Sequence, residues 1–87
     1  MHILLLCRSL TYAQRSAKIL ERAGITGMIT RMPRMEGIRG CAYGVLIKTK
    51  HREHAISALV KAGLPPEGVY IREKDGTVRE AEEHDLA

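Results

Sequence analysis

Two thiols, Cys7 and Cys41, are the side chains in this chain best suited to covalent chemistry. Cys41 stands in Ile38-Arg39-Gly40-Cys41-Ala42-Tyr43-Gly44-Val45, where a loop bearing glycine and arginine turns into an apolar run. A cysteine reacts as its thiolate, and neighbouring guanidinium groups or a helix N-terminus lower its pKa. Arg34 and Arg39 lie in the loop before Cys41, and Arg8 follows Cys7. Gly40 leaves the backbone amides beside the sulfur open to an anion. No general base stands near either thiol in sequence, so the chemistry within reach is the holding and handing on of an atom. Turnover of a substrate by a stand-alone enzyme is not expected.

The elements that must position these groups follow from periodicity. His2 to Cys7 is an apolar run of strand length. Thr11-Tyr12-Ala13-Gln14 matches a capping box, with Thr11 as N-cap. Ala13, Ala17, Leu20 and Ala23 then recur at helical spacing until Gly24, the expected left-handed C′ residue, with Ile25 as its apolar contact. Residues 27–32 read as a second strand, 33–40 as a loop and 41–48 as a third strand. A second helix is expected over 50–62, with Ala55, Ile56, Leu59 and Val60 on its apolar side; Gly63 and Pro65-Pro66 stop it. Residues 68–72 form a fourth strand.

The halves echo each other: Ile19-Leu20-Glu21-Arg22-Ala23-Gly24-Ile25 aligns with Ala58-Leu59-Val60-Lys61-Ala62-Gly63-Leu64. Strand–helix–strand, twice over, is the order of the ferredoxin-like split βαβ sandwich, an α+β fold with an antiparallel sheet and both helices on one face. In that topology the first and third strands are central and antiparallel. Cys7 ends one and Cys41 begins the other, so both thiols are expected at one end of the sheet. The first helix opens at that end with about half a positive charge, and Arg8, Arg34 and Arg39 would make the corner electropositive. Alternation also permits a second reading. Cys41 shares a face with Tyr43, Val45 and Ile47, and Cys7 with Ile3 and Leu5, so either thiol could be a packed hydrophobe.

Charge is unevenly spread. Residues 1–72 carry twelve Lys/Arg against four Asp/Glu, a net of +8, while residues 73–87 carry two against six, a net of −4. An acidic tail is therefore expected over 73–87, after a domain that ends at residue 72. In the tail, Asp75-Gly76 signals a turn into a short fifth strand over 77–79, and residues 80–87 are expected to fray. The basic body would attract an anionic ligand or an acidic partner. Its 87 residues form one domain with modest burial, which a homodimer would supplement.

Several function classes fall away. The apolar run at residues 3–6 is far shorter than the roughly 20 residues that span a bilayer. Two cysteines and no secretion signal point to a reducing cytoplasm. Sheet-based RNA readers stack bases on aromatic side chains, yet only Tyr12, Tyr43 and Tyr70 are aromatic, so specific nucleic-acid binding is not expected. Cys7-Arg8-Ser9 lacks the arginine that a cysteine-phosphatase loop places six residues after its thiol; Ala13 stands there. His51 and His54 find no further ligand at metal-site spacing, and Met28, Met32 and Met35 read as packing residues. No metal or organic cofactor is expected.

Ser9 before the first helix, the run Ala17-Lys18-Ile19-Leu20-Glu21-Arg22-Ala23-Gly24-Ile25, Met32-Pro33-Arg34, Gly40-Cys41 and the closing Ala62-Gly63-Leu64 with Gly68-Val69-Tyr70 occur in one order. In that order and spacing the chain resembles the selenium/sulfur carrier protein-like family of small bacterial proteins, over roughly residues 3–72. The resemblance implies that Cys41 is the cargo-carrying thiol, with Pro33-Arg34 ahead of it. The cargo would be sulfur or selenium, held as a persulfide or selenopersulfide and passed between a donor and an acceptor protein. Arg8, Arg34, Arg39 and Gly40 would stabilise the terminal anion, and Cys7 would serve as a resolving thiol. Ala42 replaces the glycine usual after the family's cysteine, and Cys7-Arg8 replace an aromatic residue and a proline. The competing reading is a non-catalytic ferredoxin-like module that binds a small anion or a protein.

Overall fold

A computed structural model describes residues 1–32 and 42–81. Strand β1 (His2–Cys7) leads into helix α1 (Leu10–Arg22), and strands β2 (Met28–Arg31) and β3 (Tyr43–Lys48) follow. A 3₁₀ turn (Thr49–His51) opens helix α2 (Arg52–Lys61), then come β4 (Gly68–Arg72) and β5 (Val78–Glu80). The five strands form one antiparallel sheet in the order β2-β3-β1-β4-β5. The first four stand in the ferredoxin-like order, with β1 and β3 central; β5 adds a fifth strand outside β4.

The sheet separates two apolar clusters. On the helix-covered face, Ile3, Leu5 and Cys7 of β1 join Val45 and Ile47 of β3 and Ile71 of β4. Ala13 and Leu20 of α1 and Ala55 and Leu59 of α2 close over them, all fully buried. Alanine at 13 and 55 lets each helix axis approach the strands, while the leucines supply area; burying each leucine stabilises by about 1.5–3 kcal/mol. On the opposite face Leu4, Met32, Ala42 and Leu46 form a smaller cluster with Leu6, Tyr70 and Val78 against it. Gly44 lies in that cluster, where a Cβ would stand only 2.8 Å from Leu4 Cδ1.

Both helices end in the same way. Gly24 and Gly63 adopt φ of +82° and +76°, where a side chain is strained. The amides of Ile25 and Leu64 donate to Leu20 and Leu59, each at 2.8 Å, and those of Gly24 and Gly63 donate to Glu21 and Val60. This pair of bonds is the Schellman motif, and it explains why the two Ala-Gly-apolar segments match.

Helix starts depart from expectation. Ser9, not Thr11, caps α1: its backbone is extended and its Oγ accepts the Tyr12 amide at 3.3 Å. The helix thus begins at Leu10, with Thr11 inside its first turn. Ser16 rather than Ala17 completes the buried stripe of α1. On α2, Val60 is 55% exposed, because it lies one position round from the buried stripe of Arg52, Ala55 and Leu59. Strand β5 spans Val78–Glu80, and the Ala81 amide donates to Val69, so the sheet holds residues 80 and 81 expected to fray. Its turn is closed by Asp75, which accepts from the Thr77 amide and hydroxyl. Residues 82–87 of the tail lie outside the described residues.

Candidate functional site

Cys7 is placed by β1. It stands opposite Tyr43 in the β1–β3 register, at the end of the sheet where α1 begins, as the topology requires. Alternation puts its side chain among Ile3, Leu5 and the helices, and it is a free thiol, 5% exposed. Sγ lies 3.7 Å from the Leu5 carbonyl and 3.9 Å from Ser16 Oγ, itself buried on α1. Burial pushes the Cys7 thiol pKa up; Ser16 opposes the shift, and the Glu67 carboxylate adds to it. A thiol so desolvated is protonated at neutral pH and is a weak nucleophile.

Arg8 and Glu67 meet on the wall of the cavity that Cys7 also lines. The Glu67 amide donates to the Leu6 carbonyl at 2.8 Å, which ties the residue after Pro65-Pro66 to the end of β1. Arg8 Nε then donates to Glu67 Oε1 at 3.2 Å, and the guanidinium sits 4.8 Å from the centre of the Tyr12 ring. Both partners of this ion pair are half open to water, so it contributes at most about 1 kcal/mol. Its effect is electrostatic: the positive charge of Arg8 is shared with a carboxylate, and both line the same cavity as the thiol. Together Cys7, Arg8, Tyr12, Ser16, Pro66 and Glu67 line a cavity of about 290 Å³.

The remaining sequence-derived site residues, Cys41, Arg34, Arg39 and Gly40, lie outside the described residues, as do Pro33 and Met35. The chain is described again from Ala42, whose carbonyl accepts the Met32 amide at 2.9 Å. Thus β2 and β3 remain paired up to the two ends of the segment that carries these residues. His51 stands at the N-terminal boundary of α2 without a side-chain capping bond, and His54 is exposed on the helix. Among the described residues no three histidine, cysteine or acidic side chains gather into a metal-binding group, and no helix is long and apolar enough to cross a membrane.

Sequence reasoning missed Ser16 and Glu67. Ser16 falls one position off the apolar pattern of α1, and Glu67 is separated from Arg8 by 59 residues. Pairing of β1 with β4 brings them together, and nothing local signals it.

No curated protein and no solved structure gives a significant match to the chain. The family described as Putative Se/S carrier protein-like matches residues 2–71, from the first residue of β1 to the penultimate residue of β4. That match takes in both βαβ halves and both thiols, and the chain therefore belongs to this selenium/sulfur carrier protein-like family.

Proposed function

We propose that the protein carries sulfur or selenium as covalent cargo on Cys41 and passes it from a donor to an acceptor protein. The observation that carries this reading is the family match over residues 2–71, which contains Cys41. The state of Cys7 supports it: a protonated thiol, 5% exposed, is unsuited to capture a chalcogen from another protein, which leaves Cys41 for the role.

Loading would proceed by attack of the Cys41 thiolate on the outer sulfur of a donor persulfide. The Cys41–sulfur bond forms, the donor's sulfur–sulfur bond breaks, and the donor leaves as a thiolate. Arg34 and Arg39 would hold the terminal anion through charge-assisted hydrogen bonds, with Gly40 giving access to backbone amides; selenium would follow the same path. Cys7 would act afterwards. Its Cα stands opposite that of Tyr43, two residues after Cys41 in sequence, and a disulfide would require the two thiol-bearing Cα atoms to come within about 7 Å. Once exposed by local opening, Cys7 would attack Cys41 Sγ, form a disulfide and release the terminal sulfur as hydrosulfide. Residues 3–72 form the carrier domain in this reading, residues 73–87 its acidic tail, and a reducing cytoplasm its compartment.

The test is loading from a small persulfide donor, read by intact mass. The wild-type chain gains one chalcogen atom, Cys41→Ser gains none, and Arg34→Ala with Arg39→Ala loads more slowly at neutral pH. Loading that persists in Cys41→Ser refutes the carrier role. The result would then favour a non-catalytic module whose +8 body binds an anionic ligand or an acidic protein.

A further inference from the structure

The cleft between α1 and β2 lies apart from the Cys7 cavity and holds a different opportunity. It measures about 670 Å³; Arg15 and Lys18 of α1 bring two positive charges to it and Glu21 one negative charge, beside Ala17, Gly27 and Ile29. Strand β2 forms its outer wall and, among the described residues, is an edge of the sheet, paired with β3 alone.

The register tells which β2 groups face outward. The Met32 amide donates to the Ala42 carbonyl, so these two residues form a hydrogen-bonded pair. Antiparallel ladders alternate bonded and non-bonded pairs. Thr30, opposite Gly44, and Met28, opposite Leu46, therefore turn their backbone groups toward β3, while Ile29 turns its N–H and C=O to the open edge. Alternation places the Ile29 side chain on the helix-covered face, at the cleft, and that of Met28, 64% exposed, on the other face.

The two sheet edges are not alike. Edge β5 has three residues and carries the Arg79–Glu73 ion pair at 2.8 Å, features that discourage further pairing. Edge β2 has the sequence Met-Ile-Thr-Arg, exposes two large apolar side chains and contains no proline. A second copy of this chain is the poorer occupant: in a two-fold β2–β2 pairing each copy would bring Arg15 and Lys18 against a single carboxylate, Glu21, a net positive charge on both sides. An acidic strand suits the same charges.

We propose that the β2 edge and the α1/β2 cleft bind an extended acidic segment of another protein by strand addition. The incoming backbone pairs with the outward N–H and C=O of Ile29. Alternate side chains then point to opposite faces. Carboxylates on the helix side meet Arg15 and Lys18 above the small floor of Ala17 and Gly27, while apolar residues on the other side lie against Met28. This surface does not depend on the carrier reading, since no thiol takes part.

The probe is a blocked hexapeptide, Val-Glu-Val-Glu-Val-Glu, compared with its Val-Lys counterpart by amide NMR titration and hydrogen exchange. The acidic peptide is expected to bind about tenfold more tightly, the effect of two exposed ion pairs, and to slow exchange at Ile29. Ile29→Pro removes the outward N–H without touching the β3 ladder and should abolish binding while the circular dichroism stays native. Arg15→Glu with Lys18→Glu should reverse the preference between the peptides, which keeps the test decisive if the proline variant fails to fold. Cys41→Ser should bind like the wild type, so failure of the carrier reading is told apart from failure of this one. Equal affinity for the two peptides, unchanged exchange at Ile29, or a β2-edge dimer that blocks the peptide would overturn the proposal.

Discussion

Replacing Cys7 with alanine separates the roles of the two thiols. The substitution deletes one sulfur atom from the buried helix-side cluster that includes Ile3, Leu5, Ala13, Leu20 and Val45. A buried group the size of a methylene is worth about 0.8 kcal/mol in transfer alone, and the space left behind adds to the loss. No strong hydrogen bond is lost, because the Ser16 and Leu5 contacts of the sulfur lie at 3.9 and 3.7 Å. The sum is about 1–2 kcal/mol. In a domain of this size each kcal/mol moves the thermal midpoint by roughly 4–8 °C, so Cys7→Ala should melt about 4–16 °C lower. Urea unfolding should give the same free energy with an unchanged slope. Chalcogen loading, measured by intact mass on the folded variant, should match the wild type if Cys41 carries the cargo as proposed. An unshifted midpoint would refute the packing argument. Abolished loading in a folded Cys7→Ala variant would refute the division of roles.

Three further predictions concern the same elements. Because the folded Cys7 pKa is raised, its contribution to stability is fully present below the ordinary thiol range near pH 8.5–9; it falls away as pH rises through the folded value. Urea midpoints between pH 7 and pH 11 should therefore decline more steeply in the wild type than in Cys7→Ala. Glu67→Gln removes a charge that raises the Cys7 pKa, so a thiolate absorbance titration should shift to lower pH, with stability altered by less than about 1 kcal/mol. Ser9→Ala should cost about 1 kcal/mol through the lost N-cap, and Thr11→Ala much less, as measured by urea midpoint.

The short-range features of this protein were legible in its residues. Strand β4, both helix ends, the repeat of Ala-Gly-apolar caps and the ferredoxin-like order of four strands follow from periodicity and from the left-handed φ that glycine tolerates. Boundaries set by competing caps were not: Ser9 and Thr11 are both good N-caps, and in the fold it is Ser9 that takes the extended backbone and caps the Tyr12 amide. The placement of Cys7 at the α1 end of β1 was equally readable, because strand order and alternation determine it.

What the tertiary structure alone decided is the chemical state of these groups. A thiol's pKa depends on the water it loses and the charges it meets. Cys7 loses its water to Ser16 and the helix-side core, and it meets Glu67, which β1–β4 pairing brings from far along the chain. Arg8, read from sequence as a charge available to a thiolate, is instead engaged by that same carboxylate. The outward-facing backbone of Ile29 likewise depends on which residue of β3 lies opposite each residue of β2. Sequence determines which groups the chain possesses and the local turns they make; desolvation, ion pairing and strand register belong to the neighbours that folding supplies.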